Sequence, residues 1–507
     1  MKQKRWIGCI GLFLLIAGCT ITSPVSLPSP TVIPPQTLVP TQSLPISSNP
    51  SPTNIYPQIT QTVTQLVPSP TPVTPPPKNI ILIIVDTLRA DHVSAYGYTR
   101  NTTPNLDTFF GSQGVRFNRV ISTAPWTCPS VAAMLTGRTP TSLGTTYATR
   151  SHSVPQNANT LAEYLKDKGY DTAGFVSTYC NKARLGFSQG FNYYDDQLTD
   201  QPSSDKARAA DINKHAMQWL DNTWLPQSKG ETPLFLFLYY FDPHAWYDPP
   251  SPYDTLFDND YIGKLTPAVY KDGEDTISGK IVPTDRDIHH LLAMYDGEIS
   301  YWDAYLGEMM TFLQNHHLLE NSLIILTSDH GELFGEYGGW AHGSSLKEEL
   351  LRVPLLMRYS GVIPPGTSVQ STVQNYDLMP TILDWAGVTL PGDLQAISLR
   401  ALAMGAPDDI KRSVFSEVDA ITDKKDVLYW TAPRISSRSI ENNGWKLVHF
   451  LNRPDLDELY LVQPSSLYER ENQIELEPDR AQILLQYLSG WFGITFLPVY
   501  ELISMIK

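Results

Sequence analysis

Continuous apolar runs, each followed at once by polar residues, are the clearest pattern along the chain. Three of them have strong strand propensity and suit strands that are covered on both faces: 80–85, 234–240 and 323–327. Stretches with helical character, including 160–168 and 291–315, lie between these runs. Strands that alternate with helices over this length predict an α/β fold, in which a mostly parallel sheet carries helices on both faces.

The pattern changes near residue 410, where shorter strands begin, among them 445–450. We therefore expect a main domain over residues 79–405 and a smaller C-terminal α+β subdomain over residues 406–507. A chain of 507 residues exceeds one typical core, which agrees with two packed units. The last apolar stretch, 491–506, contains Pro498 and Glu501, which favours packing over membrane insertion.

The first 78 residues have the composition of an export signal and a tether. Basic residues precede the short apolar run 7–16, which ends in Ile16-Ala17-Gly18-Cys19 and resembles the bacterial lipobox. This resemblance predicts a signal peptide over residues 1–19 and acyl chains on Cys19. Residues 20–78, rich in Pro, Ser and Thr, would form an extended tether. We expect an extracytoplasmic protein, lipid-anchored at the bacterial cell membrane or surface. A plain secretory signal is the alternative.

Charge and cysteine content exclude some classes of function. The formal charge of −15 and a pI near 5.2 argue against a nucleic-acid partner, which would need a basic face. An anionic substrate stays possible, because a local metal ion can outweigh a distant field. Four cysteines are too few for a disulfide scaffold. Cys128 and Cys180 either form one disulfide or remain two buried thiols, and the sequence leaves both open.

Polar residues with metal-binding or proton-transfer chemistry follow the three strand-like runs. Asp86 follows the first, Asp242-Pro243-His244 the second, and Ser328-Asp329-His330 the third. Ligands of open α/β sheets bind beyond the carboxyl ends of the strands, so these residues should lie close together. A single Asp in such a place is more often a helix cap or turn residue. Two carboxylates with an adjacent imidazole indicate a divalent metal site instead.

The segment Ala124-Pro125-Trp126-Thr127-Cys128-Pro129-Ser130 precedes a short apolar helix, 131–135. We expect Thr127 or Cys128 at the N-cap, with Pro129 in the first turn. An anion placed there would meet free backbone N–H groups and the positive end of the helix dipole. An ordinary capped helix without a ligand is the alternative.

Six motifs in one order resemble the sulfatase family, within the alkaline phosphatase superfamily. They are Asp86-Thr87-Leu88-Arg89-Ala90-Asp91-His92, Thr103-Pro104-Asn105-Leu106-Asp107, Pro129-Ser130 with Leu135-Thr136-Gly137, Asp242-Pro243-His244, Ser328-Asp329-His330-Gly331-Glu332 and Arg352-Val353-Pro354. The resemblance covers about residues 79–400. It implies an alkaline phosphatase-like fold, a catalytic role for residues 79–405 and metal-dependent hydrolysis of sulfate or phosphate esters.

The formylglycine motif of the family is altered here. Sulfatases oxidise a Cys or Ser that is followed by x-Pro-x-Arg, whereas Thr127 stands at the equivalent position and Val131 replaces the Arg. Cys128 lies one residue too late. Oxidation of a threonine would give a ketone, so we expect no formylglycine.

The resemblance to superfamily members with a threonine nucleophile implies roles for the remaining residues. Asp86, Thr127, Asp329 and His330 would hold one divalent metal ion, which is Ca, Mg, Mn or Zn. Thr127 would be the direct nucleophile, and His244 and His342 would assist catalysis. This metal shell favours phosphoesters over sulfate esters.

Two alternatives stay open besides the hydrolase. One is a phosphotransferase that modifies a surface glycan or lipid, although such enzymes usually have several membrane spans. The other is a catalytically inactive lipoprotein that binds glycans. In the hydrolase the partner would be an anionic ester, on a surface glycan or a lipid headgroup.

Overall fold

The three apolar runs form neighbouring strands at the centre of a nine-stranded sheet in the computed structural model of the protein. The structure describes residues 75–146, 149, 151–200, 207–265, 276, 279–408, 411–420, 435–462, 469 and 471–493. The predicted signal peptide with Cys19, nearly all of the predicted tether, and residues 494–506 of the last apolar stretch lie outside these residues.

Fifteen strands are present in the described residues. In chain order they are β1 Asn79–Val85, β2 Val115–Ile121, β3 Asp171–Val176, β4 Tyr193–Asp195, β5 Leu234–Tyr240, β6 Ser322–Ser328, β7 Leu333–Phe334, β8 Trp340–Ala341, β9 Arg352–Val353, β10 Leu355–Tyr359, β11 Thr367–Gln374, β12 Val414–Val418, β13 Ser437–Asn442, β14 Trp445–Phe450 and β15 Glu458–Leu461.

The α-helices of the described residues vary from a single turn to 31 residues. In chain order they are α1 Pro104–Leu106, α2 Thr127–Thr136, α3 Pro140–Leu143, α4 Leu161–Asp167, α5 Ala209–Trp219, α6 Leu225–Ser228, α7 Asp285–Asn315, α8 Glu348–Leu351, α9 Leu378–Trp385, α10 Arg400–Ala403 and α11 Pro478–Phe492.

The large sheet has the order β11-β2-β10-β6-β1-β5-β3-β4, and β9 pairs with β2. The central strand β1 is parallel to both β5 and β6, and Val85 lies opposite Tyr240 on one side and Ser328 on the other. The carboxyl ends of these three strands therefore meet at one edge. Strand β10 runs antiparallel to β6 and β2, so the sheet is mostly but not wholly parallel, as the sequence predicted.

Both faces of the large sheet are covered, which explains why its central strands are buried at every position and apolar along most of their length. Alternate residues of β1 face opposite sides. Ile81 and Ile83 belong to a core on the side of α5 and α7, whereas Ile80 and Leu82 belong to a core on the side of α2, α4 and α9. The predicted fold class is thus confirmed.

A second sheet, of order β12-β13-β14-β15, is antiparallel throughout and packs against α11. It begins at Val414, close to the predicted boundary at residue 406. The backbone N–H of Glu417 donates to the carbonyl of Thr123 over 2.9 Å, so this sheet joins the large one beside α2. In the part of the chain that the structure describes, no helix has the length and apolar character needed to cross a membrane.

Candidate active site

Three buried side chains at the shared edge of β1 and β6 form a cluster that could hold a metal ion. Asp86 directly follows β1, and Asp329 and His330 directly follow β6. All three are completely buried, and one ligand atom of each lies within 4.8 Å of the others. His330 Nε2 is 3.4 Å from Asp329 Oδ2 and 3.6 Å from Asp86 Oδ1. The structure thus brings together the three residues that the sequence placed at one edge.

The tautomer of His330 follows from its contact with the backbone. Nδ1 lies 2.9 Å from the carbonyl oxygen of Gly331, which can only accept a hydrogen bond. Nδ1 therefore donates, and Nε2 turns an unprotonated lone pair toward the two carboxylates. Burial lowers the pKa of His330 well below its ordinary value, and His342 nearby lowers it further. A neutral imidazole with a backbone-bound Nδ1 is the form that binds metals.

Burial makes the charged form of both carboxylates costly. The side chain of Asp86 is completely buried and neither of its oxygens has a well-formed hydrogen bond, although the Tyr239 hydroxyl and the Thr87 backbone lie near enough to lower its pKa. Burial raises the pKa of Asp86 well above its usual range, and the charge of Asp329 raises it further. Burial also raises the pKa of Asp329 to about 6. Two buried carboxylates beside a neutral imidazole are costly unless a cation joins them. The donor set of two carboxylates and one imidazole therefore fits a divalent metal ion.

Asp329 is held by donors from several elements. Its Oδ1 accepts from the backbone N–H groups of His330 over 2.9 Å and Thr87 over 3.3 Å, and its Oδ2 accepts from the Tyr239 hydroxyl over 2.9 Å. Its carbonyl oxygen accepts from three side chains: Ser122 Oγ at 2.5 Å, Ser130 Oγ at 2.7 Å and Asn375 Nδ2 at 3.3 Å. Of these supporting residues, His330 was predicted as a metal ligand, whereas Tyr239, Ser122 and Asn375 were not singled out from the sequence as functional residues.

Thr127 lies at the N-terminus of α2 and contacts the cluster. Its Oγ1 is 3.1 Å from His330 Nε2, and the residue is buried. The predicted N-cap at Thr127 or Cys128 was wrong by one position, because Trp126 has the extended backbone of the cap and the helix begins at Thr127. The helix start still directs backbone N–H groups and the positive end of its dipole toward the site. This end of the helix can therefore stabilise an anion beside Thr127.

Cys128, the next residue, forms a disulfide with Cys180 in the turn that follows β3. Of the two states that the sequence left open, the structure has the disulfide. The bond ties the first turn of α2 to the β3–β4 connection. The Cys128 sulfur is therefore not available as a nucleophile.

Two further imidazoles extend the site beyond His330. The ring centroid of His342 lies 4.6 Å from that of His330 and 4.9 Å from that of His244. His342 Nδ1 is 3.0 Å from Oε1 of the buried Glu332, and His244 Nδ1 is 2.7 Å from the carbonyl oxygen of Ala245. Both predicted histidines are thus near the metal-binding cluster. Glu332 was missed, although it stands in the Ser328–Glu332 motif.

The site combines buried carboxylates with an imidazole and a hydroxyl at the carboxyl edge of a mostly parallel sheet, and this combination suits a metal-dependent ester hydrolase. A family model described as Sulfatase matches residues 78–388, which is more than half of the chain, and the protein therefore belongs to the sulfatase family. A second model, described as N-sulphoglucosamine sulphohydrolase, C-terminal, matches residues 335–484. The family makes this protein a member of the alkaline phosphatase superfamily and an ester hydrolase.

The similar proteins include two sulfatases and a protein named for the alkaline phosphatase superfamily. An arylsulfatase of Clostridium perfringens is 23% identical over 75% of this chain and 91% of its own length. The N-acetylglucosamine-6-O-sulfatase of Bacteroides thetaiotaomicron is 24% identical over 75% and 80%. A multifunctional alkaline phosphatase superfamily protein of Trinickia caryophylli is 25% identical over 75% and 88%.

Solved structures share the fold. A protein in complex with its substrate D-glucosamine-2-N,6-O-disulfate matches with a TM-score of 0.65 and 20% identity, over 82% of this chain and 97% of that one. A phosphonate monoester hydrolase from Silicibacter pomeroyi matches with a TM-score of 0.63 and 23% identity, over 82% and 94%. At these identities the likeness supports the fold alone.

Proposed function

We propose that this sulfatase-family hydrolase uses Thr127 directly as its nucleophile and cleaves phosphoesters in preference to sulfate esters. The observation that carries the proposal is the 3.1 Å contact between Thr127 Oγ1 and His330 Nε2. A hydroxyl in that position lies beside the only metal-binding cluster found among the described residues. Threonine is a weak nucleophile at its ordinary pKa and needs such activation.

The preference for phosphoesters rests on what replaces the formylglycine residue. The methyl group on the Thr127 Cβ excludes oxidation to an aldehyde, so the site would act with an alkoxide. The fold also occurs in an enzyme of phosphorus chemistry, the phosphonate monoester hydrolase from Silicibacter pomeroyi. An anionic ester is common to all the related substrates, and its charge suits the helix end of α2.

Asp86, Asp329, His330 and Thr127 would together hold one divalent cation. When bound, the cation polarises a non-bridging oxygen of the ester and lowers the pKa of the Thr127 hydroxyl. Thr127 Oγ1 then gives up its proton to solvent water and attacks phosphorus in line with the leaving oxygen, and the bond from phosphorus to that oxygen breaks. The N–H groups at the start of α2 stabilise the charge that develops on the equatorial oxygens.

The leaving alkoxide needs a proton, and the two outer imidazoles can supply it. His342 lies nearer to the cluster, and His244 lies beyond it, so one of them gives a proton to the departing alcohol. Water then attacks the phosphorus of the Thr127 adduct, which restores the hydroxyl and releases phosphate from a monoester substrate or a phosphate monoester from a diester. An acceptor alcohol in place of water would make the enzyme a phosphotransferase.

The lipid anchor on Cys19 and the extracytoplasmic location belong to the same proposal. A tether of residues 20–78 would hold the enzyme away from the bilayer, where surface glycans and lipid headgroups present anionic esters. The disulfide between Cys128 and Cys180 supports this location, because disulfides persist in oxidising compartments.

The test is a metal analysis of the purified full-length protein, followed by hydrolysis assays on an aryl sulfate, a phosphate monoester and a phosphodiester. We expect one bound divalent ion and the highest turnover on a phosphoester. Faster turnover of the aryl sulfate would contradict the substrate preference. A protein without metal and without turnover on any substrate would support the glycan-binding alternative, and product formed only with an added alcohol would support the transferase.

A further inference from the structure

Strand β5 ends in two tyrosines that are equally buried but whose hydroxyl groups donate hydrogen bonds to different residues. Tyr239 and Tyr240 are both completely buried, and their side chains belong to cores on opposite faces of the sheet. The Tyr240 hydroxyl donates to Asn213 Oδ1 in helix α5 over 2.8 Å. The Tyr239 hydroxyl donates to Asp329 Oδ2 over 2.9 Å. Only the second of these bonds reaches the metal-binding cluster.

The bond from Tyr239 controls the oxygen of Asp329 that faces His330. Asp329 Oδ2 is the oxygen that lies 3.4 Å from His330 Nε2, whereas Oδ1 is occupied by two backbone N–H donors. A carboxylate oxygen has two lone pairs. If the phenol occupies one of them, the other remains available for a cation between Asp329, His330 and Asp86. The hydroxyl therefore fixes both the rotation of the carboxylate and the direction of its free lone pair.

The position of Tyr239 makes this donor rigid. Its backbone is paired in the sheet, with Tyr239 opposite Ile84 of β1 and Val176 of β3, and its carbonyl accepts from Ser177 Oγ over 2.9 Å. Asp86 follows Val85 on that same strand β1. The register of β1 and β5 thus fixes the position of the Tyr239 hydroxyl relative to Asp86 and Asp329.

We propose that Tyr239 is a positioning residue that sets the affinity of the cluster for its metal ion by orienting Asp329. The proposal rests on the metal site of the proposed function. Removing a hydrogen-bond partner of a metal ligand typically lowers metal affinity by roughly 10- to 100-fold. Tyr239→Phe removes the donor and keeps the ring, so Asp329 retains its two backbone donors but loses the one that fixes Oδ2.

Tyr240→Phe is the matched control. It removes a hydroxyl from the adjacent, equally buried residue and costs one buried hydrogen bond as well, but the bond it loses is to Asn213. Any effect of removing a buried phenol as such will appear in both variants. An effect on the metal ion should appear only in Tyr239→Phe.

The experiment is a calorimetric titration of the chelator-treated, full-length protein and both variants with Mn²⁺ and with Ca²⁺. We expect Tyr239→Phe to bind the preferred ion about 10-fold or more weakly than Tyr240→Phe, which should bind like the wild type. The melting temperatures of the two variants in excess chelator should be similar. At metal concentrations far above the weaker Kd, the hydrolysis rate of Tyr239→Phe should recover.

Each other outcome overturns a defined part of the account. Equal Kd values for the two variants would overturn the role of Tyr239 and leave the metal site intact. A folded wild-type protein that binds neither ion, nor Mg²⁺ or Zn²⁺, would overturn the metal site itself. A Tyr239→Phe protein that does not fold, while Tyr240→Phe does, would show that the hydroxyl is needed for folding and would also overturn the positioning role.

Discussion

At the scale of single residues, the candidate active site combines a hydroxyl with groups that change its chemistry. Thr127 stands 3.1 Å from a neutral imidazole nitrogen and beside two buried carboxylates that lack compensating charge. In water a threonine hydroxyl would not attack an ester at neutral pH. In the proposed mechanism the arrangement would become reactive, because a cation attracted by the carboxylates would also stabilise the alkoxide.

The first prediction concerns this hydroxyl. Thr127→Ala should lower kcat by about 10³-fold or more, because the loss of a nucleophile cannot be offset by substrate binding. Thr127→Ser keeps an Oγ at the same position and should retain a measurable fraction of the activity. The measurement is steady-state hydrolysis of a phosphodiester by the metal-loaded proteins. A Thr127→Ala variant with near-normal kcat would exclude the direct attack.

The second prediction concerns pH. Burial raises the pKa of Asp329 from 3.8 to about 6, and the same cause raises the pKa of Asp86. A carboxyl with a raised pKa in the folded protein holds its proton until the pH exceeds that pKa, so protons compete with the metal ion below about pH 6. We expect the affinity for the metal ion to fall as the pH is lowered through about 6, where Asp329 takes up its proton, because a metal ligand must be deprotonated.

Calorimetric titrations at a series of pH values measure this dependence, with circular dichroism at each pH to show that the fold persists. His330 should not contribute, since its pKa is lowered well below the ordinary value and the ring stays neutral throughout. An affinity that stays the same well below pH 6 would show that the buried carboxyls do not exchange protons for the ion.

The site residues divide into those that sequence could predict and those it could not. Asp86, Asp329 and His330 could be predicted because each follows an apolar strand directly, and parallel strands end at one edge. Tyr239 could not, because inside an apolar run it resembles any buried aromatic residue. The contact of Glu332 is visible only in the structure. The β7–β8 hairpin reverses the chain and places His342 Nδ1 3.0 Å from Glu332 Oε1.

At the scale of elements, α2 is held at its first turn by a covalent bond as well as by packing. The Cys128–Cys180 disulfide closes a loop with a sequence separation of 52 residues, from the start of α2 to the turn after β3. On the chain-entropy view, a loop of this size stabilises the folded state by about 4 kcal/mol. The sulfurs themselves are not ligands of the metal-binding cluster.

The third prediction separates stability from chemistry at this helix. The double variant Cys128→Ala/Cys180→Ala should have a lower melting temperature than the wild type, whereas kcat at a permissive temperature should remain mostly intact. Differential scanning calorimetry and phosphodiester assays measure the two effects. A reductant should lower the melting temperature of the wild type and leave that of the double variant unchanged. Loss of most of the activity in a folded double variant would instead make the disulfide a catalytic requirement.

Elements with strong local patterns could be predicted, and those that depend on distant partners could not. The strands expected at 80–85, 234–240 and 323–327 occur at Asn79–Val85, Leu234–Tyr240 and Ser322–Ser328. They are buried on both faces, so their sequence alone reveals them. The antiparallel pairing of β10 with β6 and β2 was not foreseen. The direction of β10 depends on how the rest of the chain places it between β2 and β6. The local sequence of residues 355–359 does not reveal that direction.

At the scale of the whole molecule, the proposed lipid anchor in the N-terminal segment would determine the cellular location of the active site. A lipid-anchored enzyme would act on esters at a membrane surface, and a freely secreted one would not. A single acyl chain anchors only weakly, so stable attachment requires the several chains expected on Cys19.

The fourth prediction concerns this anchor. In cells that process lipoproteins, Cys19→Ser should move the protein from the membrane fraction to the soluble fraction or leave it uncleaved. Cys9→Ser, within the same predicted signal peptide, is the matched control and should leave the location unchanged. Detergent-phase partitioning and mass measurement of the N-terminus provide the readout. Unaltered membrane attachment of a processed Cys19→Ser protein would rule out anchoring through this residue.

In the proposed mechanism Thr127 itself becomes covalently bound to the substrate's phosphorus. Rapid acid quenching during turnover of a phosphodiester with a good leaving group, followed by peptide mass analysis, tests it most directly. We expect a phosphoryl adduct on Thr127 that appears in the metal-loaded enzyme, disappears after the substrate is consumed and is absent without metal. Sustained turnover with Thr127 unmodified at every quench time, or an adduct on another residue, would contradict it.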